Sequence, residues 1–134
     1  MESEIRHYRT GSREAVLDIT RDCAAYVSDK GDGVLHLFVP HATAGLAILE
    51  TGAGSDEDLL AALDDLLPAD DRWRHRHGSR GHGRSHVMPA FVPPYATVPV
   101  FAGRLALGIW QSICFVDLNV DNSHRQVRLS FLGG

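Results

Sequence analysis

Four of the chain's eight histidines, His75, His77, His82 and His86, fall within one short basic segment. Their spacings include His-x-His and His-x-x-x-His, which allow imidazole nitrogens to share a divalent metal. Arg72, Arg74, Arg76, Arg80 and Arg84 are interleaved with them, and no acid lies between Arg72 and His86. Guanidinium groups repel a bare cation and grip phosphate oxygens through paired N–H groups. Read as residues alone, the segment suits a phosphorylated ligand better than a bare cation. The plain alternative is a solvated loop, and so small a basic patch in an acidic chain is a poor RNA footprint.

A second constellation is Pro40-His41-Ala42-Thr43-Ala44-Gly45, where a histidine leaves an apolar run at a proline and is followed by a hydroxyl and small residues. It can present imidazole, hydroxyl and backbone N–H groups to an anion or metal, or be a tight turn and nothing more. Glu50, beyond the next apolar run, is a candidate general base or a partner that orients an imidazole. The third is Gly108-Ile109-Trp110-Gln111 with Asp117. On one continuous strand Gln111 and Asp117 share a face with Ile109, Ile113 and Phe115. A carboxylate on an apolar face is costly unless paired, which indicates a site or a polar network. In Asn122-Ser123-His124-Arg125, Arg125 is the residue of interest.

The elements that must hold these groups are short. Residues 4–9 and 14–19 read as strands joined by Gly11-Ser12, and a helix runs from an N-capping Thr20 to Lys30, with Gly31 stopping it. Residues 34–39 read as a central strand, and 45–50 as another. Ser55 caps a second helix whose Leu59, Leu60, Leu63, Leu66 and Leu67 form its buried stripe. Residues 68–86 lack periodicity and read as a long irregular loop of the kind that is often functional. A hairpin turning at Ala102-Gly103, a strand over 109–118 and an alternating strand over 127–132 complete the chain. The pattern is α+β, a two-layer β-sandwich of about eight or nine short strands with two helices, in a single domain over 1–134.

The composition excludes several classes. The 134 residues are 44% hydrophobic and 22% charged, with a net charge of −4. That argues for a soluble globular protein and against a general nucleic-acid or anionic-membrane binder. No apolar run spans a bilayer and the first residues are highly charged, so neither a signal peptide nor a membrane segment is expected. Cys23 and Cys114 make no disulfide framework, which fits a cytoplasmic location.

The three constellations, in their order along the chain, resemble those of the YjbQ family, an uncharacterised protein family also called secondary thiamine-phosphate synthase. The resemblance rests on His41-x-Thr43-Ala44-x-Leu46-x-Ile48-x-Glu50, on Trp73-x-His75, on His86, and on Gly103-Arg104-Leu105-x-Leu107-Gly108-x-Trp110-Gln111. It implies a YjbQ-like sandwich assembled as a homotrimer. It also implies a pocket near a subunit boundary that gathers His41, His75 and His86, with Thr43, Glu50, Trp110 and Gln111 nearby. This chain departs from the family pattern where His82 replaces an asparagine, where Trp73 replaces a tyrosine, and at Asn122–Arg125.

The implied activity joins a pyrimidine pyrophosphate to a thiazole phosphate and releases pyrophosphate. For that reaction His41, His86 and Glu50 are the expected catalytic groups. Thr43, His75, Arg80, Arg84, Trp110, Gln111, Asp117 and Arg125 are the expected substrate contacts. The expected cofactor is a divalent metal, either Mg²⁺ accompanying pyrophosphate or Zn²⁺ at His41, His75 and His86. Two other readings stand beside it: a metal-dependent enzyme such as a hydrolase with a three-histidine site, and a non-catalytic module that binds a phosphorylated metabolite. In each, the partner is a small phosphorylated molecule rather than nucleic acid or membrane.

Overall fold

Eight antiparallel strands divide into two sheets in the computed structural model, which describes residues 1–10 and 13–134. The strands are β1 (Glu2–Arg9), β2 (Ala15–Asp18), β3 (Gly33–Phe38), β4 (Ala44–Leu49), β5 (Tyr95–Phe101), β6 (Arg104–Leu105), β7 (Ser112–Asp117) and β8 (His124–Gly133). The helices are α1 (Thr20–Val27) and α2 (Ser55–Leu66), with short 3₁₀ turns at His82–His86 and Met88–Ala90. One sheet has the order β1-β8-β3-β5-β6 and the other β2-β7-β4. The fold is thus α+β, a sandwich of five strands against three. The turn expected at Gly11-Ser12 lies outside the described residues.

Side-chain alternation explains the layers. Leu35 and Leu37 of β3, Val98 and Val100 of β5, and Val127 and Leu129 of β8 bury one face of the larger sheet. They meet Leu46 of β4, Ile113 and Phe115 of β7, and Ile19, Cys23, Tyr26 and Val27 along α1. The opposite face of the small sheet, through Val116 and Ala47, packs under Leu63, Leu67, Met88 and Val92. Strand β7 therefore feeds two cores, which is why its sequence is apolar on both faces. Strand β3 is central in its sheet but buries only one face, since Phe38 on the other side stays 43% exposed.

Several boundaries differ from the sequence reading for local reasons. Helix α1 is shorter, and Thr20 is its first residue rather than its cap; the hydroxyl donates to Asp18 Oδ1 and accepts from Ile113 N–H. Helix α2 starts after Gly54, whose φ of 104° supplies the entry that Ser55 was expected to cap. Leu66 points outward, leaving Leu59, Leu60, Leu63 and Leu67 on the core side. Gln111 N–H donates to Gly108 O while Gly108 N–H donates to the Gln111 side chain. This turn shortens the expected 109–118 strand. The Ala102-Gly103 hairpin is as expected, with φ positive at both residues. No helix among the described residues is long and apolar enough to cross a membrane.

Gly45 is required by close approach rather than by its φ. A Cβ there would lie 1.9 Å from the backbone oxygen of Val92, next to where Leu46 N–H donates to Pro93 O. Gly45→Ala should therefore destabilise the chain by about 2–3 kcal/mol through forced overpacking, read as a lower urea midpoint; an unchanged midpoint would contradict this packing.

Candidate metal centre

The basic segment is pinned from beneath. The Trp73 indole N–H donates to Pro68 O at 2.8 Å and its ring packs on the α2 side of the small sheet. Gly83 lets the chain fold back on that ring, because a Cβ would stand 2.4 Å from both Trp73 Cβ and His75 O. Arg84 is buried and donates to Asp64, to Glu14 and to Leu67 O. That ties the His82–His86 turn to α2 and to the segment before β2. Ser85 Oγ donates to His82 O at 2.6 Å.

On this turn His82 and His86 sit with their Nε2 atoms 3.0 Å apart. His75 and His77 reach in from the preceding stretch, with the His75 ring centroid 3.9 Å from His86 and 4.0 Å from His77. One ring nitrogen from each of the four lies within 4.8 Å of all the others. Tetrahedral ligands at ~2.1 Å from zinc stand roughly 3.4 Å apart, so small ring rotations would close the set. Burial first, and then the neighbouring imidazoles, hold the pKa values of His75 and His86 below the ordinary histidine value. Their lone pairs are thus available near neutral pH. Asp121 Oδ2 lies 2.8 Å from His82 Nδ1 but off the N–H direction, so this buried nitrogen has no aligned partner. The donors are imidazoles only, a set that fits Zn²⁺ and its transition-metal neighbours and does not fit Mg²⁺.

Residues 4–134 match the family described as UPF0047 protein YjbQ-like. The chain belongs to the YjbQ family. A UPF0047 protein of Mycobacterium bovis is 58% identical over 123 residues, covering 92% of this chain and 95% of that one. YugU of Bacillus subtilis, also a UPF0047 protein, is 34% identical over 118 residues, covering 83% and 85%. Among solved structures, a hypothetical protein from Aeropyrum pernix superposes with a TM-score of 0.88 at 31% identity over the whole of both chains. A YbjQ-like protein of unknown function from Sulfolobus solfataricus superposes with 0.91 at 25% identity, covering 99% and 97%.

In this YjbQ-family chain the expected site residues separate into three places. His75 and His86 are in the cluster, joined by His77 and by His82 at the position where an asparagine was expected. His41, grouped with them from the resemblance, stands outside it, because its Nε2 accepts the Gln126 backbone N–H at 2.9 Å. Thr43, Asp117 and Arg125 form a buried network in which the guanidinium donates to both Asp117 oxygens and to Thr43 Oγ1. Arg80 lies beside Asp71 on the surface and Arg84 is taken up by its carboxylates. Glu50, Trp110 and Gln111 flank the Ser112 end of β7, roughly 17 Å from its Asp117 end at ~3.4 Å per residue. Gln111 does not share a face with Asp117, since it precedes the strand. Trp110 is 73% exposed. Asp121 carried no signal in the sequence, as only the fold brings it to His82.

The place of His41 has a pH consequence. Burial first, and the Arg125 charge second, hold its pKa below the ordinary value. The unfolded chain then takes up this proton first as pH falls through about 6.5, so the stability His41 contributes is complete above that pH and lost below it. His41→Gln keeps an acceptor for Gln126 N–H and removes the titration. Denaturant melts between pH 5 and 7 should show a shallower acid loss than wild type; identical slopes would contradict the assignment.

Proposed function

We propose that the chain is a metal-dependent hydrolytic enzyme whose centre is the imidazole cluster. The observation that supports this best is the convergence of four histidine ring nitrogens, with no carboxylate among the donors. His75, whose ring centroid lies 3.9 Å from that of His86, would hold the ion with His82 and His86, and His77, 5.9 Å from His86, is left to move protons. A zinc-like ion bound there supplies Lewis acidity and lowers the pKa of a water to about 7. His77 exchanges a proton with the attacking water or the leaving group.

The cavity beside the cluster has a volume of about 180 Å³, and Asp70, Asp71, His75, Arg76, Arg80 and His82 are among the residues that line it. It is small against the ~300–1,000 Å³ of drug-sized ligand sites. It suits the reacting head of a small phosphorylated substrate, with Arg76 supplying positive charge while Arg72 and Arg80 offset Asp70 and Asp71. The synthase reaction implied by the resemblance needs two phosphorylated heterocycles at once, and two of its three expected arginines, Arg84 and Arg125, are spent on buried carboxylates. Hydrolysis asks less of the cavity. Phe38, Tyr95, Phe101 and Leu132, exposed on the larger sheet, support the homotrimer that the resemblance also implies.

Protein purified without added metal should carry about one zinc per chain, lost in His82→Ala and in His86→Ala. His77→Ala should keep its zinc and hydrolyse p-nitrophenyl phosphate about 10²–10⁴-fold more slowly. Elemental analysis and initial rates check both. Metal-free wild type with full turnover, or His77→Ala at the wild-type rate, would contradict the proposal.

A further inference from the structure

Resting on that reading, we propose that Asp121 is the positioning residue that makes His82 a metal ligand through Nε2. Which imidazole nitrogen keeps the proton is set by what the other one faces. His82 Nδ1 is buried, has no aligned hydrogen-bond partner, and stands 2.8 Å from Asp121 Oδ2. Against that carboxylate the proton belongs on Nδ1. The lone pair is then on Nε2, which faces His86 Nε2 at 3.0 Å and opens onto the cluster.

The carboxylate is itself held for this task. Asp121 Oδ2 accepts from Ser79 N–H at 3.2 Å and Ser79 Oγ at 3.0 Å. A Cβ on Gly78, whose φ is +80°, would lie 2.8 Å from Asp121 Oδ2 and 3.1 Å from the His82 ring. Only glycine lets the turn pass between them. Behind Asp121, its own N–H donates to Asn119 Oδ1, and Asn119 N–H donates to Asp117 Oδ1. Asp117 is fully buried and clamped by Arg125. The short connection from β7 thus carries a fixed carboxylate from the sandwich interior to the back of one histidine. Stapling the 78–81 turn would need only the Ser79 contacts, whereas the approach to His82 Nδ1 serves the ring.

The test compares wild type with Asp121→Asn and Ser79→Ala, using zinc alone as the probe. Competition against a chromophoric chelator should show zinc binding about 10–100-fold weaker in Asp121→Asn, and a smaller loss in Ser79→Ala, which removes one of the two bonds that hold Asp121 and keeps the other from the Ser79 N–H. Imidazole ¹⁵N shifts of the metal-free wild type should show His82 as the Nδ1–H tautomer, with that preference lost in Asp121→Asn. Wild-type affinity in Asp121→Asn, or equal loss in both variants with the tautomer unchanged, would overturn this inference and leave the proposed function standing. A wild type that binds no zinc would remove both. Should Asp121→Asn fail to fold, the wild-type spectrum decides by itself, since an Nε2–H tautomer at His82 contradicts the proposal.

Discussion

The ion pair between Asp117 and Arg125 is the constraint on which the rest of the molecule leans. Asp117 is wholly buried at the end of β7, where an unpaired carboxylate would be prohibitive. It accepts from Arg125 Nε and Nη2, from Thr10 Oγ1 and from Asn119 N–H. The pair spans the sandwich: Asp117 ends β7 in the small sheet, while Arg125 is the second residue of β8 in the large one. Thr43, from the loop before β4, accepts a third guanidinium bond. Full satisfaction makes such a pair tolerable in an apolar interior, and its geometry then fixes the two sheets at that edge.

The histidine cluster hangs from this edge by two routes. One is the 117–122 connection, which delivers Asp121 to Ser79 and His82. The other is Arg84, whose buried guanidinium joins the histidine turn to Glu14, just before β2, and to Asp64 on α2. The acidic helix and the basic loop, so segregated in the sequence, are partly neutralised by that contact. Both routes end on the turn that holds His82 and His86, which is the better buried half of the cluster. The exposed half, His75 and His77, is set by the Trp73 anchor and by the absence of a side chain at Gly83.

The sequence made the sandwich legible because its signals are local. Alternation marked β8, the stripe on α1 was complete, and the Ala102-Gly103 hairpin followed from turn chemistry. The site was legible only in part. Four histidines in one segment announced a cluster, yet nothing local separated His41, which satisfies a backbone N–H, from the histidines that converge. Arg84 and Arg125 looked like substrate contacts because nothing local joins them to their carboxylate partners, Glu14 and Asp64 for Arg84 and Asp117, on a neighbouring strand of the other sheet, for Arg125. The strand expected over 109–118 was cut short by the two hydrogen bonds between Gly108 and Gln111, and with it the shared face of Gln111 and Asp117. Contacts across the fold, rather than propensities along it, decide which of these groups are free to act.

The central claim is that this fold assembles an all-imidazole centre for a transition ion. Anomalous diffraction measured on either side of the zinc edge, from crystals grown without chelator, tests it most directly. The account predicts one peak within about 2.0–2.1 Å of ring nitrogens of His75, His82 and His86, with Asp121 behind His82. A crystal with no peak at the cluster, or a peak held instead at His41, would contradict it.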